Sequence, residues 1–345
     1  MIKNFSINLA SWYEKNGRLG LPWHKTGPYR VWISEIMLQQ TQVSVCIPYF
    51  ERFIKKFPDL VSLADSPLDS ILTVWAGLGY YSRARNLHAA ARMIMIEHNG
   101  KMPKKLDLLM TLPGIGQTTA GAILALGHRK FGVILDANVK RVISRLHRID
   151  GDLSKNSISR NLWNIATVYT PKSGESSAIH CQAIMDFGSL LCTRNKPKCS
   201  ICPFCYSCKA FLHNEQEKLP RRRVRQKKRE EKWFALEIRR DDNYVLLIKR
   251  PTQGIWGGLY SLPIASSIIE AAKLVGLDLD GLPHPEKKAS FNHKFSHFSV
   301  VINHLQIKVY SAELPNLNDE TIWYHPRLSG IGIPTPILRV LKKKG

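Results

Sequence analysis

The chain has 345 residues, 39.2 kDa, with 44% hydrophobic and 22% charged residues, enough apolar material for the cores of two domains and too much for disorder throughout. No apolar run approaches the roughly 18 residues that cross a bilayer, so no membrane partner is expected. Fifty Lys and Arg against 27 Asp and Glu give a net +23, of which +13 falls in residues 1–220, so a polyanion is the expected partner of that part.

Residues 1–17 place Ile2, Phe5, Leu9 and Trp12 at helical spacing with Asn4, Asn8 and Glu14 among them, which is not the unbroken apolar stretch of an export signal. From Ser11 to Lys218 the pattern stays helical, in short segments punctuated by Gly and Pro. Glu35 lies inside Val31-Trp32-Ile33-Ser34-Glu35-Ile36-Met37-Leu38. If that helix is packed on most sides, desolvation raises the carboxyl pKa and keeps a proton available for donation; a solvent-facing glutamate is the other reading. Leu87 to Ile96 is a further run of helix formers.

Leu112-Pro113-Gly114-Ile115-Gly116 leads into the helix-forming run Thr118 to Leu126. Two glycines two apart let successive backbone N–H groups face one side at a helix start, where phosphate is favoured. The five residues also fit an ordinary helix-loop-helix turn. Asp136 then follows Gly132-Val133-Ile134-Leu135 and precedes Val139, Val142, Ile143, Leu146 and Ile149, one face of a helix. An aspartate there is a natural N-cap, and the N–H bonds it accepts favour the ionised form. One protonated and one ionised carboxyl are what cleavage of a glycosidic bond requires.

Cys192, Cys199, Cys202 and Cys208 are spaced C-x6-C-x2-C-x5-C, with Cys205 as an extra. Such compact spacing suits a [4Fe-4S] cluster better than zinc, which draws two C-x2-C pairs across a longer loop. Cys199, Cys202, Cys205 and Cys208 also repeat every third residue, so spacing alone leaves the register open. Seven of the nine residues Arg221 to Arg229 are basic, a linker by composition. Beyond it come β-rich runs at Trp233–Ile238, Tyr244–Lys249 and Phe298–Tyr310, with a helix predicted near Ile268–Val275. The predicted division is a mainly α domain over residues 1–218 with a cysteine loop at 192–208, a linker at 219–230, and an α/β domain over 231–345.

Taken in order, Trp32-Ile33-Ser34-Glu35-Ile36-Met37-Leu38-Gln39-Gln40-Thr41, Trp75-Ala76-Gly77-Leu78-Gly79-Tyr80-Tyr81-Ser82-Arg83-Ala84-Arg85-Asn86-Leu87, the Leu112–Gly116 hairpin, Asp136-x-Asn138-Val139 and the cysteine spacing resemble the MutY adenine DNA glycosylases of the endonuclease III superfamily. The first part of the chain is then expected to be a helix-hairpin-helix glycosylase domain with a [4Fe-4S] cluster on Cys192, Cys199, Cys202 and Cys208. The resemblance implies base excision repair: removal of adenine opposite 8-oxoguanine or guanine in double-stranded DNA. It makes Glu35 the acid at adenine N7, Asp136 the stabiliser of the sugar cation in a retaining mechanism, Asn138 an orienting group and Gln182 a holder of the adenine. Gln40 and Tyr80 become a wedge pair entering the base stack, and Gly114, Gly116 and Thr118 a backbone-binding hairpin. Without the resemblance, the first reading of Gln40 is a solvated helix residue and that of Tyr80 is core.

Two positions depart from the pattern. Thr118 stands where endonuclease-type relatives carry a catalytic lysine, so no Schiff base forms there and strand-cleaving lyase activity is not expected. Ala137 replaces the glycine of Asp-Gly-Asn, at a cost if that residue has φ > 0. Val245 to Pro251 and Gly254 to Pro263 are similar to Nudix hydrolases, but residues 264–280 contain no R-E-x2-E-E helix, so recognition is expected rather than hydrolysis. Phe295-Ser296-His297 looks like the loop by which the family reads 8-oxoguanine; otherwise it is a strand-edge turn. The expected protein is a monomer in a bacterial cytoplasm, associated with the nucleoid. The rivals are a bifunctional pyrimidine-lesion glycosylase and a non-catalytic iron-sulfur protein that binds DNA or senses redox state.

Overall fold

The computed structural model describes residues 2–153, 155–221, 229–279, 283–295, 298–310, 320–328 and 330–342. Its first elements in chain order are α1 (Phe5–Asn16), α2 (Pro28–Leu38), α3 (Val43–Lys56), α4 (Leu60–Asp65), α5 (Leu68–Trp75), α6 (Ser82–Glu97), α7 (Leu106–Met110) and α8 (Gln117–Ala122). They are followed by α9 (Ala137–His147), α10 (Asn156–Tyr169), α11 (Gly174–Asp186) and α12 (Lys209–Leu212). The strands are β1 (Arg229–Arg240), β2 (Val245–Lys249), β3 (Tyr260–Ser261), β4 (Ile264–Ala265), β5 (Glu286–Lys294), β6 (Phe298–Val309) and β7 (Thr321–Tyr324), with α13 (Ile268–Lys273) and α14 (Thr335–Lys342) beside them. Among the described residues no helix is long and apolar enough to cross a membrane.

The chain forms two compact units, one from Met1–Asp65 and Asn86–Val224, the other from Ser66–Arg85 and Arg225–Gly345. In the first, α9 runs through the core: Val139, Val142, Ile143 and Leu146 are buried with Leu9 of α1, Leu162 of α10 and Ile184 of α11. The apolar face predicted to Ile149 outlasts the helix. Arg148, with φ 55°, turns the chain left-handed after His147, and the Ile149 N–H bonds back to the Ser144 carbonyl at 2.8 Å, a helix-ending geometry. The helix predicted through Leu126 likewise changes character at Ile123, where one wide turn over Ile123–Gly127 replaces α-helical spacing.

The second unit is built on a sheet of order β3-β2-β1-β6-β5, with β4 on β1 and β7 on β2. Strands β1 and β6 are parallel from Arg229 opposite Phe298 to Arg240 opposite Val309, and β5 returns antiparallel to β6. The Phe295 N–H bonds to the Phe298 carbonyl at 2.9 Å, closing the β5–β6 turn. Helix α13 begins where the sequence places it, capped by Ser267, and Ala271 and Ala272 pack on Leu236, Ile238, Ile307 and Val309.

Within the sheet lies a buried carboxylate, Glu237, only 1% exposed. Its oxygens accept from Arg239 Nε at 2.6 Å and Gln306 Nε2 at 2.6 Å, and pair with His304 Nε2 at 2.8 Å. Burial alone would raise its pKa, but the bonds from His304 and Arg239 hold it below the usual carboxylate value.

Candidate active site

Gly27 is extended and Pro28 opens α2, where its missing N–H costs nothing. Val31, Trp32, Ile33, Ser34, Ile36 and Met37 are all buried, so the helix is enclosed nearly all round and Glu35 lies half-buried among them. Burial, joined by the negative charge of Asp136, pushes the Glu35 carboxyl up to about 7.

Asp136 is the N-cap of α9. Its Oδ1 accepts the Val139 N–H at 2.8 Å, and its Oδ2 accepts from Asn138 Nδ2 at 3.2 Å. These bonds and the Arg141 charge favour the ionised form as the sequence suggests, yet burial outweighs them and the net pKa is raised. The Asp136 charge acts on Glu35, so ionised Asp136 favours the protonated form of Glu35. Ala137 is the first residue of α9 and lies outside the left-handed region, so alanine carries no backbone penalty there.

The segment leading to Asp136 lies tight against α8. A Cβ on Gly121 would stand 1.9 Å from the Val133 carbonyl oxygen, and one on Gly132 would stand 2.1 Å from that of Gly121. Thr118 Oγ1 accepts the Leu135 N–H at 3.3 Å, so the residue without an amine helps to hold the approach to Asp136. In the hairpin before it, Gly114 has φ +78° and faces Asn86, whereas Gly116 caps α8 with nothing within 4 Å of a Cβ position.

Gln182 is buried on α11 and donates to Asp186 Oδ1 at 3.4 Å; Asp186 in turn accepts from the Arg18 N–H at 2.7 Å and Arg18 Nε at 3.0 Å. Its neighbour Cys181 donates to the Gly132 carbonyl at 3.3 Å, and burial with the Glu35 charge pushes that thiol up to about 12, so it stays protonated. Glu35, Asp136 and Asn138 are thus brought together, with α11 alongside.

Two functional candidates have no motif in the sequence. Arg141 donates from Nη2 to Asn138 Oδ1 at 2.9 Å and to the Gly188 carbonyl at 2.6 Å, and from Nε to the Cys192 carbonyl at 2.9 Å. One turn on, Arg145 donates to the carbonyls of Leu219 at 2.9 Å, Thr193 at 2.6 Å and Arg194 at 3.0 Å, and to Cys192 Sγ at 3.4 Å. The only available signal was a charged residue on the apolar face of a predicted helix.

Cys192, Cys199, Cys202, Cys205 and Cys208 line one pocket, with Val142, Leu191 and Arg145 among the other walls. Burial and neighbouring thiolates push Cys199, Cys202 and Cys208 up, Cys202 to about 12. Charge on these three sulfurs is therefore unfavourable without a cationic group between them. Among the described residues no three His, Cys, Asp or Glu side chains converge as for a single metal ion. A cavity walled by sulfur fits a cluster of several metals, and the residues present are compatible with one.

Gln40 and Tyr80 both have left-handed backbone, φ 58° and 49°, and both are exposed. That conformation is rare for residues of their size and marks a constrained site. Phe295 directly follows β5 and donates its N–H to the Phe298 carbonyl; Ser296 and His297 lie outside the described residues.

Residues 33–167 match the HhH-GPD superfamily of base excision DNA repair proteins, and residues 234–343 match the NUDIX domain. The adenine DNA glycosylase of Buchnera aphidicola subsp. Acyrthosiphon pisum is 40% identical over 98% of this chain and 97% of its own length. That of Buchnera aphidicola subsp. Baizongia pistaciae is 37% identical over 98% and 96%. Among solved structures, a thermostable thymine-DNA glycosylase superimposes with a TM-score of 0.56 at 26% identity, covering 61% of this chain and 96% of that one. The helical part is thus a helix-hairpin-helix glycosylase domain and the strand-rich part is Nudix-like, and the chain belongs to the adenine DNA glycosylase family.

Proposed function

We propose that this protein removes adenine opposite 8-oxoguanine or guanine in double-stranded DNA by hydrolysing the N-glycosidic bond. The observation that carries the reading is the Glu35–Asp136 pair, with the Glu35 carboxyl held up to about 7 by burial and by the charge of Asp136, in a member of the adenine DNA glycosylase family. A silent DNA-binding protein needs no half-buried acid poised to give up a proton, and such groups gather at functional sites.

Once adenine is flipped from the stack, Glu35 donates its proton to N7 and the base leaves as a neutral group. Asp136, ionised, meets the positive charge that develops on the sugar and forms a covalent acetal with it. Glu35, now a base, then takes a proton from the water that displaces Asp136, and the configuration is retained. Asn138 orients Asp136 through the 3.2 Å bond, and Gln182 holds the adenine. With Thr118 in place of an amine, the abasic sugar is released without strand cleavage.

Gln40 and Tyr80 fill or pry the stack, Phe295, Ser296 and His297 read the base opposite adenine, and the hairpin of Gly114, Gly116 and Thr118 takes backbone phosphate. Cys192, Cys199, Cys202 and Cys208 hold a [4Fe-4S] cluster, which when bound closes the cysteine loop as a structural clasp. The protein acts as a monomer. Incubation with a duplex carrying adenine opposite 8-oxoguanine should give an abasic site that breaks only on alkali treatment, and the same duplex with cytosine in place of adenine should stay intact. Equal excision from both duplexes, or breakage without alkali, contradicts the reading.

A further inference from the structure

Residues 66–85 interrupt the sequence of the first unit yet pack within the second, and the contacts that hold them there are specific. Lys249 Nζ donates to Asp69 Oδ2 at 2.7 Å, and Thr73 Oγ1, which donates to the Asp69 carbonyl at 2.7 Å, lies 3.3 Å from the Gly330 carbonyl. Gly258 approaches α5 so closely that a Cβ on it would stand 3.1 Å from Leu72 Cδ1. At the far end of the segment, Arg85 Nη1 donates to the Gly257 carbonyl at 2.8 Å.

That last bond reaches a constrained turn. Trp256, the residue before Gly257, has φ 55° although it is bulky, and is 8% exposed. Its ring lies 5.5 Å from Phe295, 5.8 Å from His293 and 6.5 Å from Trp233. Phe295 also meets Phe298 at 4.8 Å and Trp233 at 5.9 Å. Phe295 and Phe298, which flank the β5–β6 connection, are therefore positioned by a cluster of rings that leans on the Gly254–Gly258 turn. On the other side of Arg85, two residues back, the Arg83 guanidinium lies 5.3 Å from the Tyr80 ring and 5.5 Å from that of Trp75, and Arg83 Nη2 donates to the Gly79 carbonyl at 3.2 Å.

We infer that Arg85 is a positioning residue that joins the Tyr80 segment to the β5–β6 tip, so that entry into the base stack and reading of the base opposite adenine are registered by one body. The inference rests on the proposed roles of Tyr80 and of Phe295–His297. Its consequence is specificity: without the Arg85 bond the tip and the wedge still exist, but a contact made by one no longer fixes the other.

The test uses the full-length protein and two variants. Arg85→Met keeps the apolar stem and loses the donor, whereas Arg85→Lys keeps a donor that can reach the carbonyl. Second-order and saturating single-turnover rates are measured on adenine opposite 8-oxoguanine and opposite guanine, with thermal unfolding of each protein alongside. Arg85→Met should lower the second-order preference for 8-oxoguanine by roughly five- to tenfold, as expected for one lost hydrogen bond, while the saturating rate opposite guanine stays within about twofold. Arg85→Lys should recover most of the preference. An unchanged preference in Arg85→Met, or equal slowing on both duplexes with no recovery in Arg85→Lys, overturns the coupling. If the unsubstituted protein shows no preference for 8-oxoguanine, it is the underlying reading of the tip that fails, and the coupling falls with it.

Discussion

Arg141 ties Asn138 to the cysteine loop: one guanidinium nitrogen donates to Asn138 Oδ1 at 2.9 Å and another to the Cys192 carbonyl at 2.9 Å. Asn138 itself donates to Asp136, so the orientation of a proposed catalytic carboxylate depends on a bond network that ends at a proposed cluster ligand.

Arg141→Met removes three donations at once and deprives Asn138 and the buried Gly188 carbonyl of this donor, while the Cys192 carbonyl keeps Arg145 at 3.3 Å. The expected cost is about 3 kcal/mol of stability. Single-turnover excision should fall at least about tenfold with little change in duplex affinity, since a misplaced Asp136 affects the transition state more than binding. Denaturant melts and excision kinetics on the same preparation check both.

Excision should depend on pH with two limbs. Glu35 must be protonated and its pKa is about 7, so the rate falls as pH rises through that value. Asp136 must be ionised and its pKa is raised by burial, so the rate also falls in acid, sooner than for an ordinary aspartate. A single-turnover profile that is flat from pH 6 to 9 would contradict this assignment.

The same shift has a stability cost of opposite sense. Glu35 is raised from 4.5 to about 7, so its favourable contribution is complete below pH 4.5 and is lost as pH rises through 7. Glu35→Gln escapes that loss and should be more stable than the parent by about 2 kcal/mol at pH 8, with a much smaller difference at pH 5. Denaturant midpoints at the two pH values measure it.

Cys205 contributes to the cavity wall but is spare in the proposed ligand set. Cys205→Ser should retain iron and the brown absorbance, whereas Cys192→Ser should lose both. The reverse pattern would move the cluster to the other register.

Glu237 is depressed by its partners in the sheet. Its contribution is therefore present above pH 4.5 and is lost as pH falls through its lowered value. Glu237→Ala strands Arg239, His304 and Gln306, and should cost about 3 kcal/mol at neutral pH, with the difference from the parent shrinking in acid.

What the sequence could and could not announce follows from the range of the interactions. The α9 cap at Asp136, the alternation behind β1, β2 and β6 and the cysteine spacing are local patterns, and the structure places α9 and those strands where periodicity puts them. Arg141 and Arg145 satisfy carbonyls 47 to 74 residues away, and no window of sequence contains both ends of such a bond. Glu237 and His304 meet only because β1 and β6 are paired in parallel. For the same reason residues 66–85 read as part of a continuous helical domain, although their partners are Lys249, Gly257 and Gly330. The net pKa of Asp136 was hidden differently: its hydrogen bonds are local and readable, whereas its burial depends on the whole fold.

The central claim is that Glu35 supplies the proton that releases adenine, and Glu35→Gln tests it most directly because it removes the acid while preserving size. Single-turnover excision of adenine opposite 8-oxoguanine should be abolished in this variant while its affinity for the same duplex stays within a few-fold of the parent. Excision at the parental rate by Glu35→Gln would contradict the account.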